Sequence, residues 1–536
     1  MKKRFLMMLL ATMMVFTMVP VSMMNAADNL YTFTMYYNYD WWTIHPWGED
    51  EVSKYWQQKF NIAMDQNKPD ADADAKLNLM VSSGDLPDVI MMDRGPAHKR
   101  LCELGVFIDL APLQAVNPTY DENILQSTQE LLKINGVLYS IPHWARKGPT
   151  GGNNMWLYDK RLYEAAGSPP LKTLEDLYNY AKYVKDNIPT TKEGLPTIPF
   201  AGGNNNDAHD VLTNAFYRSY GGPNQGADHT ARIDGKMQSV LRDPVYKKAV
   251  MELNRWYRDG LLLDTQFTDT NDQMIEKFVS GRTALLYYDH SQDSINRFRQ
   301  ILMNNYPDDS FEQVLDPVYP PAEGVTHVYA DEKPTIGWNV LCITNKAKEP
   351  QRIFDFFSYM LSKEGSIDMM YGPPGDWYDE LDENGNPILK VPEAELSTAE
   401  KDRIGAWFWQ FCSHSDNVDI TKFAVNAMQE PEKRDWVITT QSDVLTPIMF
   451  VTDEYVGLNL TVDQLSDLGI ERTLCNEQFQ TELPKILMAP TAEKAEELFD
   501  ALLAFHDQHN FAEVEAAYDA RHQEIVAMQG FSAYDK

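Results

Sequence analysis

Residues 82–93 read SSGDLPDVIMMD, and this stretch predicts how the chain folds. Its glycine and proline predict a tight turn, and the apolar run after the turn has the composition of a short strand. Upstream, residues 74–81 have the pattern of a helix that leads into the turn. Open α/β sheets bind ligands at the carboxyl ends of their strands, so Asp93, where this run ends, becomes a candidate ligand contact.

The N-terminus predicts export. Residues 1–27 combine a basic start, an apolar run over 5–20 and small residues before Asp28, which is the pattern of a cleaved secretory signal peptide. No cysteine stands near the predicted cleavage point, so we expect no lipid anchor there. No later segment is long and apolar enough to span a bilayer. We therefore expect an exported protein that works outside the cell, at the cell surface or in a periplasm.

The composition excludes several partners. The 536 residues carry a net charge of −32, and removal of the three cations of the signal segment takes it to −35. Such a charge argues against nucleic acid and against an anionic membrane surface. It also disfavours highly anionic substrates unless a local basic pocket overrides it, and it leaves neutral ligands and cations open. The length is enough for at least two lobes, and we expect a monomer.

The cysteines indicate no metal site. Cys102, Cys342, Cys412 and Cys475 lack the spacing of metal ligands, and we expect neither a metal nor another cofactor. In an oxidising compartment disulfides are compatible with this pattern. Buried free thiols are equally compatible with it.

Seven short stretches, in order along residues 30–380, resemble a known family. They are GDLPDVI (84–90), LGVFIDL (104–110), NGVLYSIP (135–142), WLYDK (156–160), EAAG (164–167), FVSGRTA (278–284) and YGPPG (371–375). Together they resemble the family 1 extracellular solute-binding proteins, the substrate-binding components of ABC importers, in the longer, lipoprotein-like branch.

The resemblance implies an α/β, two-lobe periplasmic-binding-protein-like fold (type II) with hinge crossings and a helical C-terminal extension. Residues 28–143 and 289–347 would form lobe one, and residues 144–288 and 348–536 would form the mostly helical lobe two. A carbohydrate, most simply an oligosaccharide, would bind in the cleft between them. The lobes would close around it by a hinge motion, and the membrane permease would recognise the closed form. This function involves no enzymatic step.

A sugar cleft needs aromatic faces for the C–H surface and planar polar groups for the hydroxyls. Aromatic or histidine side chains follow predicted strands or the hinge proline in four places, and acidic or basic side chains follow two strands. The resulting ligand-contact candidates are Tyr39, Trp41, Trp42, Asp93, Arg94, His143, Trp144, Asp289, Trp338 and Trp377. Arg94 and Asp93 are included because the resemblance places ligand contacts at the end of that strand.

Two other classes stay open. A secreted glycoside hydrolase would also be acidic and aromatic-rich, and would need two carboxylates at a fixed separation. The mostly helical C-terminal half does not repeat the strand–helix unit expected of a barrel hydrolase. A peptide- or cation-binding protein on the same scaffold would use the negative charge and cation–π contacts.

Overall fold

A computed structural model of the chain describes residues 30–203, 208–288, 292–306, 315, 318–406 and 412–535. The predicted signal peptide (1–27) and Asp289 lie outside the described residues. Fourteen strands are described: β1 Tyr31–Tyr37, β2 Ile62–Asn67, β3 Val89–Asp93, β4 Ser140–Pro142, β5 Met155–Tyr158, β6 Ile198–Gly203, β7 Thr230–Ile233, β8 Lys236–Ser239, β9 Thr283–Tyr288, β10 Glu332–Lys333, β11 Asn339–Ile343, β12 Tyr378–Leu381, β13 Pro387–Leu389 and β14 Phe450–Val451.

Twenty α-helices are described in the same part of the chain: α1 Glu51–Phe60, α2 Ala73–Ser83, α3 Pro96–Glu103, α4 Ala111–Gln114, α5 Thr119–Asn123, α6 Gln126–Leu132, α7 Lys160–Ala165, α8 Leu174–Asn187, α9 Ala208–Ser219, α10 Pro244–Arg258, α11 Asn271–Val279, α12 Gln292–Asn305, α13 Pro350–Leu361, α14 Lys363–Tyr371, α15 Thr398–Ile404, α16 Ser415–Ala427, α17 Trp436–Thr440, α18 Asp467–Leu487, α19 Ala492–Gln508 and α20 Phe511–Gln529.

The first sheet has the strand order β2-β1-β3-β11-β4. Strands β1, β2 and β3 run parallel, and β11 runs antiparallel to both β3 and β4. The stretch around residues 82–93 builds its centre as predicted, because α2 ends at Gly84 in the left-handed region (φ 71°) and β3 follows the turn. The carboxyl ends of β1, β3 and β4 therefore meet at one edge, together with the start of β11.

The second sheet has the order β5-β9-β6, with β6 parallel and β5 antiparallel to β9. All six side chains of β9 are buried, which is the pattern of a central strand covered by helices on both faces. Its carboxyl edge lies at residues 203 and 288, where the described segments end.

Each sheet has its own hydrophobic core. The first core contains side chains of β1, β3, β11 and α13, and the second contains side chains of β5, β6, β9 and α10. A smaller cluster joins α18 and α20 to β8. Two cores with a sheet each are what a two-lobe α/β protein requires.

In two segments of the chain, the core that the side chains join is not that of the lobe predicted for those residues. Residues 350–425, predicted in lobe two, bury α13, α14 and Trp377 in the first core. Residues 292–322, predicted in lobe one, bury side chains of α12 in the second core. The apolar face of α13 packs against β11, and α12 packs against α11 and α17. Neither helix indicates in its sequence which core it joins.

The described part of the chain crosses between the two cores at about residues 146–154, 331–335, 428–444 and 449–455. Arg146 N donates to Thr335 O over 3.0 Å, and β10 pairs with β14 in parallel, so neighbouring crossings are bonded to one another. Such short, cross-linked connections are the geometry of a hinge.

The four cysteines are free and buried, which resolves the alternatives left open by the sequence in favour of thiols. Burial raises the pKa of Cys102 to about 12, so its reactive thiolate is scarce at neutral pH. Among the described helices none combines the length and apolarity needed to cross a bilayer.

Candidate functional site

The carboxyl edge of the first sheet brings most of the candidate residues together. Asp93 lies opposite Asn339 in the β3–β11 register, and Pro142 lies opposite Val340. The backbone continues this pairing beyond the strands, because Arg94 N donates to Trp338 O over 3.2 Å. Tyr39, Asp93, Arg94, His143 and Trp338, predicted from separate stretches, are therefore neighbours at one edge.

Four rings form an aromatic cluster at this edge: Tyr39, Trp41, Trp42 and Trp338. Tyr39 is 6% exposed and contacts the other three rings at centroid distances of 5.1 to 5.6 Å. Trp41 and Trp338 are 63% and 44% exposed, with their rings 6.4 Å apart. These two indoles offer open aromatic surface, and Tyr39 supports them from the interior.

Trp42 differs from its neighbour Trp41. It is 5% exposed and stacks on Tyr37 at 5.2 Å with an interplanar angle of 13°. A ligand therefore has little direct access to this ring, and its contribution to the edge is to hold the aromatic cluster in place.

Polar groups flank the aromatic cluster. The Tyr39 hydroxyl donates to Asp93 Oδ1 over 2.9 Å, and Arg94 Nη2 donates to Gly337 O over 3.1 Å. Desolvation raises the pKa of Asp93, opposed by the bond from Tyr39. A carboxylate and a guanidinium at the end of one strand can pair with the hydroxyls of a neutral ligand, as both acceptor and donor.

His143 and Trp144 lie where the chain leaves the first core. His143 is buried, its Nδ1 accepts from Ser413 N over 2.9 Å, and burial lowers its pKa to about 3, so the ring is neutral. Trp144 is partly exposed and has φ 61°, and its backbone N–H donates to Ser413 O over 2.9 Å. Hydrogen bonds at both residues hold the start of the crossing segment against residue 413. Of the two side chains, only that of Trp144 has exposed surface.

Trp377 requires a correction. It was predicted to be a ligand contact in the turn at residues 375–378, but Trp377 is 3% exposed, packs against Tyr371 and donates its indole N–H to Val391 O over 2.9 Å. The strand pair β12–β13 covers the turn, so this tryptophan belongs to the first core.

Sequence reasoning missed Asn339 at the same edge. Its side chain is fully buried beside Asp93, and neither amide atom has a hydrogen-bond partner among the described residues. A polar amide at the start of an apolar strand, directly after Trp338, was the signal that could have identified it.

The hinge holds a carboxylate with a displaced pKa. Glu332 lies on β10, and Tyr534 OH donates to its Oε2 over 2.8 Å. Burial raises the pKa of Glu332 to about 7 from an ordinary value of 4.5, opposed by Tyr534 and by the charge of Arg218. The fold therefore favours the protonated carboxyl.

Glu332→Gln is expected to flatten the pH dependence of stability. A carboxyl whose pKa is raised on folding binds more protons in the native state, so the free energy of unfolding falls as pH rises from about 4.5 to about 7. The glutamine side chain does not titrate, so the variant is expected to lack this decrease in the free energy of unfolding. Urea midpoints across that range measure it, with Glu323→Gln, at an exposed site, as the control. Equal slopes for wild type and Glu332→Gln would contradict the assignment.

The chain belongs to the bacterial extracellular solute-binding protein family, whose model matches residues 52–374. The membership confirms the class predicted from the seven stretches. The protein is therefore a member of an exported family of solute-binding proteins.

Three similar proteins are informative. The fructooligosaccharide ABC transporter substrate-binding protein FusA of Streptococcus pneumoniae serotype 4 (strain ATCC BAA-334 / TIGR4) is 25% identical over 222 residues, which span 38% of this chain and only 40% of that relative. An extracellular solute-binding protein from Bifidobacterium longum subsp. infantis matches with a TM-score of 0.67 at 15% identity, over 93% of this chain and 99% of the other.

An HMO-binding, ABC-transporter-associated solute-binding protein from Bifidobacterium longum infantis ATCC 15697 matches with a TM-score of 0.65 at 15% identity, over 92% of this chain and 99% of the other. These structural matches confirm the expected two-lobe α/β fold of periplasmic solute-binding proteins.

Proposed function

We propose that the protein is the substrate-binding component of an ABC importer, which captures an extracellular oligosaccharide between its two cores and delivers it to a membrane permease. The observation that carries this proposal is the pair of exposed indoles, Trp41 and Trp338, at the carboxyl edge of the first sheet. An indole face covers the C–H surface of a sugar ring, and few torsions are frozen when it binds.

The polar surroundings support a neutral ligand. Asp93 and Arg94 supply an acceptor and donors beside the indoles, and the net charge of −32 disfavours a polyanion in the open cleft. The similar proteins point the same way, since one is named as a fructooligosaccharide transporter component and another as HMO-binding.

The proposal includes the transport step. Ligand would stabilise the closed arrangement because it contacts both cores there, and only this difference in affinity shifts the population. The permease would bind the closed form of a monomer outside the membrane, and the sugar would be released chemically unchanged.

A glycan panel tests the proposal. Thermal shift followed by calorimetry is expected to find an oligosaccharide with a micromolar or tighter dissociation constant, about −8 kcal/mol. The panel includes monosaccharides and basic peptides, and chromatography of the bound sugar checks that it is intact. Binding of basic peptides alone would favour the peptide- or cation-binding class, and hydrolysis of a bound sugar would favour the glycosidase class.

A further inference from the structure

A cavity of about 230 Å³ lies between the first core and the C-terminal helices. Four cationic side chains line it: Arg94, Lys99 and Lys133 from the first core, and Arg521 from α20. None of the thirteen described residues that line it is acidic. In a chain of net charge −32, such a lining is a local concentration of cationic side chains.

Arg94 is the most buried of the four cations. Its Nη2 donates to Gly337 O, while its Nε has no hydrogen-bond partner among the described residues. Burial lowers the pKa of Arg94 to about 10, opposed by Asp453 and Asp93, so the guanidinium stays charged at neutral pH. Burial, aided by the Arg94 charge, lowers the pKa of the neighbouring His98 to about 4, so that ring is neutral.

The other three cations keep donors for a ligand. Each pairs with one acid three or four residues away along the chain: Lys99 with Glu103 at 3.3 Å, Lys133 with Glu130 at 2.6 Å, and Arg521 with Glu524 at 3.2 Å. Exposed pairs at this spacing contribute only about 0.3–0.5 kcal/mol. A lysine ammonium carries three N–H donors and a guanidinium five, so one acid partner leaves donors unused.

We propose that this cavity binds a small oxyanion, the phosphate or carboxylate group of a small metabolite, as a second site that shares Arg94 with the polar flank of the aromatic cluster. Charge-assisted hydrogen bonds from lysine and arginine are the strongest that such a group can accept. Because the cations come from both the first core and α20, a bound oxyanion links these two parts and stabilises their arrangement. The proposal does not depend on which sugar, if any, binds at the aromatic edge.

The test titrates the full chain with inorganic phosphate, glucose 6-phosphate, glucuronate and glucose at constant ionic strength. Calorimetry is expected to detect phosphate or glucuronate, and not glucose, and the same ligand is expected to raise the melting temperature. Binding of phosphate and glucose 6-phosphate identifies a phosphate site, whereas binding of glucuronate alone identifies a sugar-acid carboxylate site.

Variants locate the site. Lys99→Gln/Arg521→Gln is expected to weaken oxyanion binding at least tenfold. The matched control is Lys54→Gln/Lys494→Gln, which changes the net charge equally at two exposed helical pairs outside the cavity, and we expect no change there. Absence of binding for all three anions, or equal losses in the two double variants, would overturn the proposal.

Discussion

Trp338→Ala is expected to weaken oligosaccharide binding about thirtyfold, since truncation of a central aromatic contact costs about 2 kcal/mol. Trp338 is 44% exposed and lies beside Trp41 and Tyr39, so its removal takes away ligand surface and leaves the core intact. We expect a loss of similar size for Trp41→Ala. Calorimetry with the tightest glycan of the panel measures both.

The control for Trp338 is Tyr183→Ala. Tyr183 is equally exposed, at 44%, but lies on α8, which packs on the second sheet. We expect Tyr183→Ala to bind the glycan with unchanged affinity. Trp338→Phe should recover most of the affinity, because a flat ring is restored. If Trp338→Ala and Trp41→Ala both bind as wild type, the aromatic edge is not the sugar site.

Trp42→Ala should behave differently. Truncation of a buried tryptophan leaves a cavity and costs about 3–5 kcal/mol of stability, and Trp42 is 5% exposed. Any loss of affinity in this variant would therefore follow from a disturbed aromatic cluster rather than from a lost contact.

Local signals in the sequence predicted local structure well. The stretch at 82–93 gave the helix, turn and central strand in their correct order, and Asp93 and Arg94 at the strand end. At the start of α8, Thr173 and Asp176 form a reciprocal capping box, a pattern that the sequence displays although aspartate replaces the usual glutamate. Turns and caps depend on residues a few positions apart, which the sequence displays directly.

Packing between distant segments was not predictable in the same way. Trp41 and Trp42 are adjacent in an irregular loop without a period, so nothing in the sequence indicates which indole faces inward. Trp377 is covered by Tyr371 and the β12–β13 pair, contacts made only after the chain has folded. The core to which α13 belongs is likewise decided by tertiary contacts.

Gly337→Ala is expected to cause a large loss of stability at the site. Gly337 has φ 68°, and a Cβ there would lie 1.8 Å from the carbonyl oxygen of His143. Two backbone segments of the first core would have to separate, and Trp338 and the Arg94 bond to Gly337 O would move with them. We expect a cost of about 3 kcal/mol or more, together with weakened sugar binding.

Gly84→Ala is the matched control for this substitution. Gly84 has nearly the same φ, 71°, but nothing lies within 4 Å of its added Cβ. It therefore measures the left-handed backbone strain alone, about 1–2 kcal/mol. Urea midpoints of the two variants, read by circular dichroism, separate strain from contact. Equal shifts of the two midpoints would mean that the backbone at His143 and Gly337 can move apart without loss of stability. The close approach of these segments would then not hold the aromatic edge in position.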